Sequence, residues 1–124
     1  MDTAIWFEWL TAGTALLCAL LALAWLGFNR QLMNLFSIPY AAGAGVVARR
    51  NGALFLGVAV ILWSVPTPAD PAMRHMIGAG IGTACATLAL LGAFEFRNRR
   101  AGTWIWSAVA TEFALAVAFF AACI

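Results

Sequence analysis

The sequence predicts an all-α protein, a membrane four-helix bundle with both termini on the outer (periplasmic) side, and three observations carry that expectation. Of the 124 residues, 65% are hydrophobic and only 10% charged, with a mean hydropathy of +0.93. A soluble domain of this size cannot hide so much apolar surface, so the solvent is lipid. Four apolar runs use up the chain, giving one integral membrane domain over residues 1–124 and no room for a soluble catalytic module. The arginines, finally, are spread unevenly over the connections between those runs.

The first span is expected over residues 5–28, closed by Asn29-Arg30. Its start, MDTAIWFEW, is acidic and lacks a basic region or a small-residue cleavage site, so it reads as an uncleaved span and not a signal peptide. Residues 31–45, broken by Pro39 and small residues, are too polar to cross and are expected to lie at the interface. The second span has only 13 strongly apolar residues, from Ala53 to Val65. Starting it near Val46 gives residues 46–65 and requires Arg49 and Arg50 to snorkel to the headgroups. The turn PTPADP stops it, because proline cannot continue a helix.

The third span covers 72–94 and runs into EFRNRR, where Glu95 and Arg99, four apart, are expected to pair on the last turn. The fourth covers 104–124 and reads WIWSAVATEFALAVAFFAACI. Its length of about 31 Å crosses a bilayer core, and its one ionisable side chain, Glu112, falls near the middle.

Arginine placement sets the topology. Arg30, Arg49 and Arg50 lie in the first connection and Arg97, Arg99 and Arg100 in the third, whereas Arg74 alone lies elsewhere. The positive-inside rule puts connections one and three in the cytoplasm and both termini outside, in a bacterial inner membrane. Tryptophans agree: Trp6, Trp9 and Trp63 fall at one interface and Trp25, Trp104 and Trp106 at the other. The seven arginines with no lysine, and the heavy use of alanine, are the habit of a GC-rich bacterial genome.

At about 100° per residue the spans sort into faces. The first carries Thr11, Ala15, Cys18, Ala19 and Ala22, with Glu8 on the same stripe. The third carries Gly78, Gly82, Ala86, Ala89 and Ala93, with Arg74 and His75 at its outer end; Gly78 and Gly82 form a G-x-x-x-G pair that permits close approach in lipid. If these stripes face each other, Glu8 meets Arg74 and His75 in an outer-side ion-pair cluster. The fourth span has a small-residue packing stripe (Ser107, Ala110, Thr111, Ala114, Ala118, Ala121) and a bulky one (Trp106, Phe113, Val117, Phe120). Glu112 lies away from the small stripe, flanked by Ile105, Ala108, Ala116 and Phe119. Two protein-facing sides exceed what one helix of a monomer needs, which predicts other membrane subunits or a homo-oligomer.

An acid at this depth costs a few kcal/mol and marks function or a buried partner. Glu112 is either the coupling carboxylate of a small proton-coupled transporter, a protonated carboxyl bonded to Thr14, Thr83 or a backbone carbonyl, or a contact with a partner or lipid. His75, the only histidine, is either an interfacial side chain or an axial ligand to a haem or pigment that lacks its second ligand here. Cys18, Cys85 and Cys123 are odd in number and lack metal-site spacing, so no metal is predicted. No catalytic set or phosphate loop can be assembled, so the chain is not expected to be an enzyme. The arginine groups read as topology signals and anionic-lipid contacts, with no nucleic acid as partner.

ARRNGALFLGVAVILW (48–63) followed by DPAMR (70–74) resembles small four-span bacterial inner-membrane proteins of uncharacterised function. In those an Arg-x-x-Gly-Ala start precedes an apolar run, a short acidic Pro turn and another Arg. The resemblance covers under a quarter of the chain and implies the four-helix architecture, not an activity. In length and span count the chain is also similar to small multidrug-resistance transporters, but those carry their acid inside the first span. Here Glu8 sits at its mouth and Glu112 in the fourth. The function expected is therefore a non-catalytic accessory subunit of a larger respiratory or photosynthetic membrane complex, with the transporter and the pigment, haem or lipid binder as alternatives.

Overall fold

The computed structural model describes residues 3–123, and these are all-helical, with no strand among them. Five helices follow in order: α1 (Thr3–Gly27), α2 (Asn29–Leu35), α3 (Ala42–Trp63), α4 (Pro71–Arg97) and α5 (Ile105–Ala122). All but α2 are long and apolar enough to cross a membrane. The last residue of the predicted fourth span, Ile124, lies outside the described residues. The chain divides into two compact units, Thr11–Pro66 and Met1–Leu10 with Thr67–Ile124, so α1 gives its first turns to one and its remainder to the other.

In Thr11–Pro66 the small stripe of α1 is buried: Ala15, Cys18 and Ala22 are at most 7% exposed. Gly52 of α3 lies against it. A Cβ there would come 2.9 Å from Leu26 Cγ and 3.2 Å from the Ala22 carbonyl oxygen, so only glycine lets the two backbones approach. Residues 31–45 are more ordered than an interfacial coil. Helix α2 ends when Ser37 enters the left-handed region (φ 56°), with Ser37 N–H donating to Asn34 O and Ile38 N–H to Met33 O. That double bond satisfies the orphan carbonyls of the last turn, and Pro39 follows where the helix cannot continue. The Arg30 guanidinium stacks 4.4 Å from the Tyr40 ring centroid. Helix α3 then starts at Ala42, four residues before the predicted Val46. Ala42 and Ala44 favour the helix, so Arg49 and Arg50 sit two turns inside it, not at its mouth.

In the other unit α4 opens at Pro71 in the first helical position, where a missing N–H costs nothing. Asp70 caps it, its Oδ1 accepting from Met73 N–H at 2.8 Å. At the far end α4 outlasts its predicted limit of Phe94 and stops in the same way as α2. Arg99 is left-handed (φ 58°), with Arg99 N–H donating to Phe96 O and Arg100 N–H to Glu95 O. This corrects the expected Glu95–Arg99 pair. Reversal of the backbone at Arg99 breaks the four-residue helical spacing and brings Arg100 round, so Glu95 pairs with Arg100 Nε and Nη2.

Helices α4 and α5 pack antiparallel along their length. Residues 78 and 82 of α4 meet 119–123 of α5, and residues 92 and 96 meet 105–109. Phe96 and Trp106 close the loop end edge-to-face, with centroids 5.3 Å apart. At the other end the Cys123 thiol donates to the His75 carbonyl, Sγ to O 3.6 Å.

Candidate functional site

Phe119 is fully buried, and Val109, Ala116 and Ala122 nearly so; Val109 and the Phe119 carbonyl lie against Gly92 and Gly78 of α4. Ile105, Val109, Ala116, Phe119 and Cys123 all lie within about 60° of Glu112 around the helix axis. Glu112 is therefore carried mid-seam, half-buried, and the antiparallel register brings it level with Cys85 and Ala89 of α4. Its carboxyl makes no hydrogen bond or ion pair among the described residues. Thr83, one of the partners expected for it, is exposed. Thr14 is buried, and its Oγ1 has no hydrogen-bond partner among the described residues.

The seam on α4 runs Gly78, Gly82, Cys85, Ala89, Gly92, Phe96. Steps of four residues overshoot a full turn by about 40°, so a row of contacts must alternate fours with threes. For that reason Gly78 and Gly82 belong to the seam while Ala86 is only half-buried beside it. Val109 fits over Gly92, where a Cβ would come 2.6 Å from its Cγ2.

Opposite the seam, Ser107, Ala110, Thr111, Ala114 and Ala121 are exposed and Ala118 half-buried, so within the chain α4 takes the Glu112 side of α5 and leaves the small stripe open. Its hydroxyls are spent on their own helix, Ser107 Oγ donating to Trp104 O and Thr111 Oγ1 to Ser107 O. Of the bulky stripe, Trp106, Phe113, Val117 and Phe120 are all exposed, with one side of the Phe120 ring lying over Gly82.

Glu8, Arg74 and His75, expected to cluster, all belong to this unit. Arg74 lies in the second turn of α4, half-buried, its Nε without a hydrogen-bond partner among the described residues. His75 is exposed, and Glu8 on α1 is half-buried and has a partner. Near them Thr3, Pro71, Arg74, Ala122 and Cys123 line a cleft of about 150 Å³. Sequence reasoning missed Cys123 as a contact residue. Its signal was periodicity: it lies eleven residues after Glu112, three helical turns along the same face. Arg30, Arg49, Arg50, Arg97, Arg99 and Arg100 are all exposed. Among the described residues no three His, Cys, Asp or Glu side chains are placed to hold a metal ion.

Compared with known proteins, the sequence matches no family model and no curated protein, and the fold matches no solved structure. Among the described residues the fold is all-helical, and its four helices long and apolar enough to cross a membrane point to a multi-pass membrane protein.

Proposed function

We propose that this chain is a non-catalytic membrane subunit that packs against a larger membrane assembly of the respiratory or photosynthetic kind, in a bacterial inner membrane with both termini outside. One observation carries the reading: the small-residue face of α5, Ser107 to Ala121, stays exposed although the opposite face is already committed to α4. Small residues at a helix surface allow close backbone approach, which is what drives association where no hydrophobic effect operates. The large exposed side chains beside it, Trp106, Phe113 and Val117, suit lipid or a partner's groove. In this reading Arg30, Arg49, Arg50, Arg97, Arg99 and Arg100 hold the cytoplasmic side, and Glu8 and His75 lie at the outer one. The test is purification from native membranes in mild detergent with the mass measured by light scattering. A stoichiometric complex is expected; recovery as a lone monomer defeats the reading, and a co-purifying haem or pigment would redirect attention to His75.

A second reading is favoured by the unpartnered carboxyl of Glu112: a small oligomeric proton-coupled transporter in which substrate and proton compete for that acid. Proton flux in proteoliposomes that disappears in Glu112→Gln would replace the subunit reading with this one.

A further inference from the structure

The arginine that topology does not explain is Arg74. Six of the seven arginines fall in the first and third connections, while Arg74 stands at the opposite ends of the spans, where the positive-inside rule asks for no positive charge. Around it the first turn of α1 (Thr3), the start of α4 (Pro71) and the end of α5 (Ala122, Cys123) enclose the cleft of about 150 Å³. We propose that this cleft is an oxyanion site for a phosphate group, with Arg74 as its cation and the Thr3 hydroxyl as a second donor.

Three features support the assignment. The guanidinium is half-buried with its Nε–H closed against protein and without an acceptor among the described residues, so the charge has lost part of its hydration. A buried unmatched donor on a cation raises the value of any anion that reaches the remaining N–H groups. The start of α4 adds its positive dipole end, and the nearest acid on that helix, Asp70, is engaged on Met73 N–H. At about 150 Å³ the cleft has room for a tetrahedral oxyanion.

The cleft sits at the ends of three helices long and apolar enough to cross a membrane, and in a bilayer that they span it falls at headgroup depth. The phosphate met there is the phosphodiester of a lipid headgroup, and the same chemistry admits free inorganic phosphate. The proposal rests on the chain spanning a bilayer and not on the subunit reading, so either can fail alone.

The full-length protein in mild detergent tests it by native mass spectrometry with added phosphatidylglycerol, and by thermal unfolding with inorganic phosphate. Arg74→Gln is expected to lower lipid retention about tenfold, the range of a charge-assisted hydrogen bond, while Arg50→Gln leaves it unchanged. A phosphate-dependent rise in melting temperature, seen in wild type and absent from Arg74→Gln, without lipid retention would assign the site to free phosphate. Equal lipid and phosphate responses in wild type and Arg74→Gln would overturn the proposal. So would equal destabilisation by Glu8→Gln and Arg74→Gln with no anion response, which would make Glu8 the occupant. Should Arg74→Gln not fold, Thr3→Val on the other wall reads the same binding, with a loss of about threefold expected and no change overturning it.

Discussion

Gly78 of α4 lies directly against Phe119 of α5: a Cβ added at Gly78 would come 2.7 Å from the Phe119 carbonyl oxygen and 2.6 Å from Cys123 Sγ. The first of these neighbours is backbone and cannot swing away. Gly78→Val is therefore expected to force the helices apart and to cost about 1–3 kcal/mol as overpacking does. Gly80→Val, where nothing lies within 4 Å, should be near neutral. Thermal unfolding in detergent of the two variants side by side checks this; equal melting temperatures would remove the seam as a source of stability.

Arg99 occupies a conformation that suits glycine. At φ 58° an L side chain crowds the backbone, and glycine is the usual residue at this position of the cap. Arg99→Gly should therefore stabilise by about 0.5–1 kcal/mol, and Arg99→Ile should destabilise by at least as much. The measurement is again the unfolding midpoint, and loss of stability in the glycine variant would contradict the cap geometry.

Asp70→Ala removes the side-chain acceptor that caps the start of α4 and should cost about 1 kcal/mol. By contrast Glu95→Gln should change stability by less than about 1 kcal/mol, because both partners of the Glu95–Arg100 pair are 40–58% exposed at their side chains. Unfolding midpoints of the two variants in the same detergent should rank them in that order.

Glu112 makes the sharpest contrast between two substitutions. A mid-helix carboxyl with no partner among the described residues is a cost to the isolated protein. Glu112→Leu should then raise the melting temperature of purified monomer, with Glu112→Gln close to wild type. A fall in Glu112→Leu would mean that the acid already has a stabilising contact within the chain.

The helical class and all four spans were legible in the sequence because apolar runs of this length leave few alternatives. The stripe Ala15, Cys18, Ala22 was legible for the same reason, since small residues repeating at helical spacing bury together. Boundaries were less so. The start of α3 depended on whether Ala42 to Gly45 would coil or wind, and the Glu95 partner on a left-handed residue at Arg99, which no composition rule flags. Which side of α5 meets α4 was not legible either. Small residues lie on one face and Glu112 on the other, and the choice went to Val109 and Phe120 because Gly92 and Gly82 on α4 offered those bulky side chains somewhere to go. The cleft at Arg74 needed three chain segments that are far apart in sequence.

The seam between α4 and α5 has its hollows on one helix. α4 offers Gly78, Gly82 and Gly92, and the Cys123, Phe120 and Val109 side chains of α5 project into them. Sequence drift at this joint should consequently be lopsided: α5 can trim or exchange its projections one at a time, while α4 is held to the smallest side chains at every hollow. Any future variant that enlarges α4 will need a matching loss on α5 before it can be tolerated.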